Sequence, residues 1–123
     1  MKISVLMPVY YKEKPENLRS AIESIVTQTV MPEQIVIVKD GVFSSKLDNV
    51  LIEFKNKYDY LIDIFECKNE KRLGGILKFG VLKCKYEWIA RMDSDDISCK
   101  TRFENQIKFI EDNKDIDIIG RLY

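Results

Sequence analysis

The residues best suited to chemistry in this chain are three carboxylates, Asp93, Asp95 and Asp96, that close the apolar run Trp88-Ile89-Ala90. Like charges this close repel one another unless they share a cation. A hard dication commonly takes one or two carboxylates together with the oxygens of a bound phosphate. The pattern therefore points to metal-assisted binding of a phosphate-bearing ligand. Its plain alternative is a helix N-terminus decorated with surface acids, because carboxylates favour that end of a helix.

Such acids need a scaffold that carries them to a crevice, and the hydrophobic patterning supplies one. Residues 3–10 form an apolar run containing Pro8, which cannot donate to a ladder, so regular pairing is expected to stop there. Pro15 suits the first turn of a helix, and Leu18, Ile22, Ile25, Val26 and Thr29 follow at helical spacing until Met31-Pro32. Residues 34–38 read as a second strand closed by Lys39-Asp40-Gly41, where Asp40 also fits a simple Asp-Gly turn. Ser44 or Ser45 can cap a second helix with Leu47, Leu51, Phe54 and Tyr58 in one stripe, and 60–65 reads as a third strand. A charged loop over 68–72 leads to Leu73-Gly74-Gly75 and a third helix through Ile76, Leu77, Val81 and Leu82. The acid-tipped strand, 87–92, reads as covered on both faces. A fourth helix beginning at Cys99-Lys100-Thr101 and carrying Phe103, Ile107, Phe109 and Ile110 precedes a last short strand over 115–120.

Strands alternating with helices of this length imply right-handed crossovers and a parallel sheet. The expected fold class is α/β, a Rossmann-like three-layer α/β/α arrangement with a mainly parallel sheet in the order 3-2-1-4. That order reverses direction between the first and fourth strands, and open α/β sheets bind ligands at such a switch point, outside the carboxyl ends of the strands. Pro8, Val9, Tyr10, Asp40 and the three aspartates then converge although they lie far apart in sequence.

Composition narrows the function classes. The 123 residues suit a single domain, and 20 basic against 20 acidic residues give a net charge of +0. Such a balance provides no electrostatic footprint for nucleic acid or an anionic membrane surface. Histidine is absent, which removes Ser-His-Asp and Cys-His nucleophile systems and His-ligated zinc, and leaves acid–base work to carboxylates. Cys67, Cys84 and Cys99 show neither C-x-x-C nor zinc-ligand spacing and read as reduced thiols of a cytoplasmic protein. No apolar run is long enough to span a bilayer.

Taken jointly, several stretches resemble the family 2 glycosyltransferases of the GT-A fold. They are Met7-Pro8-Val9-Tyr10, Ser24-Ile25 with Gln28-Thr29, Ile35-Val36-Ile37-Val38-Lys39-Asp40-Gly41, Leu73-Gly74-Gly75, and Ile89-Ala90-Arg91-Met92-Asp93-Ser94-Asp95-Asp96 followed by Arg102-Phe103-Glu104-Asn105-Gln106. The resemblance implies a nucleotide-sugar donor, most commonly a UDP-sugar. It places Pro8, Val9 and Tyr10 along the base pocket and makes Asp40 the acceptor of a base N–H. Asp93 and the adjoining Ser94 then lie near the ribose, Asp95 ligates Mn²⁺ or Mg²⁺ with Asp93 as a second candidate ligand, and Asp96 supports the site. The reaction implied is inverting glycosyl transfer to a glycan or lipid-linked acceptor in surface polysaccharide synthesis, in the cytoplasm or at the inner face of the membrane. A bound dication stabilises the charge on the departing diphosphate without a proton donor, so no histidine acid is needed.

The chain departs from the family pattern at Lys78, where asparagine is common, at Arg72, where glycine is frequent, and at Cys99-Lys100, where proline is usual. Arg72 has two readings, a phosphate contact or a solvated loop charge. Arg91 likewise either pairs with an acid or projects towards the ligand, whereas Arg102 and Glu104 read as helix-surface or ion-pair residues. The family's acceptor-binding half and its carboxylate base are expected beyond Tyr123. The reading is therefore of a truncated, donor-binding half with an exposed fourth-strand edge, which 115–120 or a second copy of the chain would cover. Two other acidic sites fit poorly. A phospho-receiver domain needs acids where Met7-Pro8-Val9-Tyr10 stands, and a calcium loop starting at Asp93 has Ser98 at the position of the sharp-turn glycine. A non-catalytic nucleotide-binding module of the same fold is the remaining alternative.

Overall fold

The computed structural model describes residues 1–67 and 72–115. Eight elements follow in order: β1 (Ile3–Tyr10), α1 (Pro15–Val26), β2 (Gln34–Asp40), α2 (Ser45–Lys57), β3 (Ile62–Glu66), α3 (Leu73–Lys83), β4 (Trp88–Arg91) and α4 (Arg102–Asp112). The four strands make one parallel sheet in the order β3-β2-β1-β4. This is the expected α/β architecture.

The strand pleat sorts side chains onto two faces. Ile3, Val5, Met7 and Val9 of β1 join Ile35 and Ile37 of β2 in a large core packed by α1 and α2. Phe103 belongs to the same core and Ile107 packs against it, so α4 lies on this face too. The alternate residues Leu6, Val36 and Val38 meet Ile76 of α3 in a smaller core on the opposite face. α3 approaches closely because Gly80 has no side chain: a Cβ there would lie 2.4 Å from Leu6 Cδ1 and 3.1 Å from Val38 Cγ2. A helix that changes face between β3 and β4 is what the reversal of strand order requires.

Local chemistry sets the helix ends. α1 begins with Pro15 and buries Leu18, Ala21, Ile22 and Ile25 at helical spacing. It stops at Val26, short of the expected Thr29: Gln28 N–H reaches the Ile25 carbonyl three residues back at 3.4 Å, and Thr29 N–H is taken by the Lys100 carbonyl at 2.9 Å. α2 is capped by Ser44, whose Oγ accepts from Leu47 N–H at 3.2 Å, with Lys55 and Lys57 in the last turn. α4 starts at Arg102 rather than Cys99, since the preceding residues are bonded to α1 instead of to a helix of their own.

Three strand expectations are revised. Pro8 does not end pairing with β2, for it sits opposite Val38 and the register continues to Tyr10 opposite Asp40. On the other side β4 pairs only as far as Leu6 with Arg91, followed by a 3.0 Å bond from Met92 N–H to the Leu6 carbonyl. Backbone groups of residues two apart point the same way, so the missing N–H of Pro8 falls on the β4 side and lets β4 leave there. β3 begins at Ile62 because Tyr60 is turned outward and 83% exposed. Among the described residues β4 is covered on one face only: Trp88 and Ala90 pack against the large core, while Ile89 and Arg91 on the α3 face are exposed. The last expected strand lies, beyond Asp115, outside the described residues. Among the described residues no helix is long and apolar enough to cross a membrane.

Candidate functional site

At the carboxyl end of the sheet, pleat parity puts the side chains of Pro8, Tyr10 and Asp40 on the α3 face, further along the alternate series that contain Leu6 and Val38. Tyr10 lies directly opposite Asp40 in the register and is half exposed. Lys39, one residue earlier, points the other way and anchors the strand end, with Nζ 2.8 Å from Asp48 Oδ1 and 3.5 Å from Glu66 Oε1. Burial works against the Lys39 charge, but the bond to Asp48 and the charges of Asp48 and Glu66 outweigh it and hold its pKa above the usual value. Asp40 is thereby left facing the crevice.

The loop after β1 is folded back over this rim. Tyr11 N–H donates to the Asp40 carbonyl at 2.9 Å and Glu13 N–H to the Tyr10 carbonyl at 2.9 Å. The Tyr11 ring lies against Gly41, which has φ 96°, and a Cβ at Gly41 would come within 2.6 Å of Tyr11 Cδ1. Tyr10 and Tyr11 have ring centroids 4.5 Å apart. The Tyr10 phenol is pushed up from its ordinary pKa, first by its hydrogen bond with Tyr11, then by desolvation and by the charges of Tyr11 and Asp40. It therefore stays protonated at neutral pH and offers a flat, neutral surface.

Across the switch point, Asp93, Asp95 and Asp96 each present a carboxylate oxygen, and these atoms lie within 4.8 Å of one another. Three hard oxygen donors gathered in this way suit a hard dication that completes its shell with water and phosphate oxygens. The residues present therefore fit Mg²⁺ or Mn²⁺. Arg91 pairs with Asp93, its Nη2 3.4 Å from Oδ1. Arg72 is the N-cap residue of α3 and is exposed on the α3 side of the rim.

Two of the expected ligand contacts have other engagements for their side chains. Val9 is fully buried in the large core, so only its backbone is available at the rim. Ser94 is 6% exposed, and its hydroxyl donates to Glu13 Oε2.

Comparison with known proteins bears on the family and the fold. Residues 4–123 match Glycosyl transferase family 2. The chain belongs to that family. A glycosyltransferase of Haemophilus influenzae is 42% identical over 120 residues, spanning 98% of this chain and 44% of that protein. The UDP-Gal:alpha-D-GlcNAc-diphosphoundecaprenol beta-1,3-galactosyltransferase of Escherichia coli is 36% identical over 119 residues, 97% of this chain and 42% of its own length. This family 2 chain thus spans under half the length of the curated relatives it matches. The mannosyltransferase PcManGT of Pyrobaculum calidifontis, solved with GDP-Man and Mn²⁺, superposes with a TM-score of 0.76 at 14% identity, covering 91% of this chain and 33% of that one, and shares the GT-A fold.

Several residues that shape the site of this family 2 chain carry no individual signal in the sequence. Gln28, buried at the end of α1, donates from Nε2 to the Ser24 carbonyl at 2.9 Å and to the Cys99 carbonyl at 2.6 Å, and accepts Phe103 N–H on Oε1 at 3.2 Å. Ser24 Oγ accepts Ser98 N–H at 3.0 Å. Arg102 is buried rather than on a helix surface, bonding Ser98 Oγ and the Arg91 carbonyl, each at 3.1 Å. Together they hold both flanks of the acid loop. Ser24, Gln28 and Arg102 are visible beforehand only as parts of the family motifs, and Glu13 only as one more charge in a polar loop.

Proposed function

We propose that the chain is the donor-binding half of an inverting glycosyltransferase and binds a nucleoside diphosphate sugar, a UDP-sugar, at the crevice between β1 and β4. The observation that carries this reading is the convergence of the Tyr10–Asp40 pair and the carboxylates of Asp93, Asp95 and Asp96 on one rim of the sheet. Tyr10 and Pro8 supply surface for the base, with aromatic stacking worth roughly 1–3 kcal/mol per base. The Asp40 carboxylate accepts the uracil N–H. Asp93 stands at the ribose, with only the backbone of the adjoining Ser94 available there; Asp95 with Asp93 holds the dication, and Arg72 faces the diphosphate from the α3 side. When bound, Mn²⁺ or Mg²⁺ neutralises charge that develops on the leaving diphosphate. Uracil rather than guanine follows the Escherichia coli relative, which is named for UDP-Gal and is more similar to this chain than the GDP-Man enzyme. That relative's diphosphoundecaprenol acceptor supports a lipid-linked or glycan acceptor here. The base that deprotonates the acceptor hydroxyl is assigned to the part of the relatives that the chain does not span.

Calorimetry tests the reading. UDP is expected to bind at least tenfold more tightly in Mn²⁺ than in EDTA, and Asp95→Ala is expected to remove that difference with the melting temperature retained. Equal affinity with and without the metal in the parent chain would rule out the metal-assisted site. A metal-dependent nucleotide complex that is never turned over, even with the remaining half supplied, would favour a binding module.

A further inference from the structure

We infer that Glu13 is a positioning residue which, through the Ser94 hydroxyl, couples the base-side loop to the cation-side loop, so that occupancy of one favours binding at the other. The inference rests on the donor-binding function proposed above and adds to it a route between the two subsites that runs through the protein.

Ser94 stands between two of the clustered acids yet is buried, and its hydroxyl is committed to Glu13 Oε2, 81 positions away in sequence. The other oxygen of that carboxylate, Oε1, accepts Lys14 N–H at 3.0 Å and Asn17 Nδ2 at 3.2 Å. Both oxygens are therefore occupied by donors, and Glu13 is not one of the carboxylates gathered for a cation. The Glu13 N–H holds the Tyr10 carbonyl, and Tyr11 N–H holds that of Asp40. Hydrogen bonds joined by the peptide link between Tyr10 and Tyr11 thus run from Asp40 through the two tyrosines and Glu13 to Ser94, whose chain neighbours are Asp93 and Asp95. Bonds to an ionised acceptor are stronger than neutral ones.

The coupling follows from charge. Without a cation, repulsion among Asp93, Asp95 and Asp96 works against the bond between Ser94 and Glu13, and so against the set of the loop that carries Tyr10. Relief of that repulsion on cation binding would strengthen the Ser94–Glu13 latch and favour the observed set of Tyr10 beside Asp40. By linkage the effect is reciprocal: a ligand held by Tyr10 and Asp40 raises cation affinity by the same factor.

Uridine separates this route from direct contact between cation and diphosphate, because it has no phosphate to meet the metal. In an NMR titration of the parent chain, Mg²⁺ is expected to tighten uridine binding about fivefold, within the usual span of coupling between sites. Ser94→Ala and Glu13→Ala should each abolish the enhancement. Glu13→Gln should retain most of it, because the amide can still bond both Ser94 and Asn17. Glu13→Asp, one methylene too short to reach Ser94, replaces Glu13→Ala if the alanine variant melts early. Uridine binding indifferent to Mg²⁺ in the parent, or an enhancement that survives in Ser94→Ala, overturns the latch even where UDP still depends on the metal. Loss of metal dependence for UDP itself overturns the donor-site reading instead, and the latch with it.

Discussion

Asp40 and Lys39 are neighbours in sequence and serve opposite faces of the sheet. Lys39 is consumed by Asp48 and Glu66, which keeps the end of β2 in place, and Asp40 is what remains to meet a ligand. A carboxylate there accepts a base N–H, and hydrogen bonds to charged groups contribute about 1.5–3 kcal/mol. Asp40→Asn is therefore expected to weaken UDP by roughly tenfold or more while leaving ADP and inorganic diphosphate nearly unchanged. Competition binding with the three ligands decides it, and an equal loss for all three would show that Asp40 does not read the base. Asp40 was legible in the sequence because it closes an apolar run at a predictable rim. Val9 shows the limit of that argument: it lies in the same motif, yet with Val5 and Met7 it belongs to the parity that faces the core. Motif membership marks the segment, and the pleat decides which side chains reach the ligand.

The acid loop is a case where an element exists without regular hydrogen bonding of its own. Residues 96–101 lie between β4 and α4, and α1 with the turn that follows it supplies their partners through Ser24, Gln28 and Thr29. Helices and strands announce themselves by periodicity, which is why all eight were legible, with their ends displaced by a few residues. A loop held from a distance has no period, so its supports are invisible until the chain is folded. Gln28→Ala strips partners from the Cys99 carbonyl and the Phe103 N–H at a buried position. Leaving buried polar groups unpaired costs about 1–3 kcal/mol, so thermal melting is expected to fall by roughly 5–15 °C. Divalent-cation affinity should fall in parallel, because the acids lose their anchored flank. A variant that melts like the parent would mean that water replaces the amide and that the loop does not depend on α1.

At the scale of the molecule the two faces of the sheet are unequally covered, and that inequality locates both the crevice and a sticky margin. Among the described residues three helices pack one face, whereas α3 alone covers the other over β1 and β2, leaving Ile89 and Arg91 of β4 exposed beside it. Leu73, Val81 and Leu82 of α3 are also exposed, at 54%, 45% and 75%. The open stretch is where Arg91 and Asp93 meet, so the same incomplete cover that admits a ligand leaves apolar surface and, among the described residues, an unpaired strand edge. Exposed edges and apolar margins are templates for association. Two features restrain it: β4 is only Trp88–Arg91 long, and its Arg91 carbonyl is already bonded by Arg102 at 3.1 Å. The expected outcome is weak self-association, monomer at low micromolar concentration and reversible dimer at about a hundred micromolar, corresponding to roughly 5–6 kcal/mol. Sedimentation velocity over that range tests it, with Ile89→Lys as the decisive variant, since a charge on the open face should hold the protein monomeric without touching the large core. A parent chain that stays monomeric throughout, or an Ile89→Lys variant that dimerises as the parent does, would place the sticky surface elsewhere than on β4.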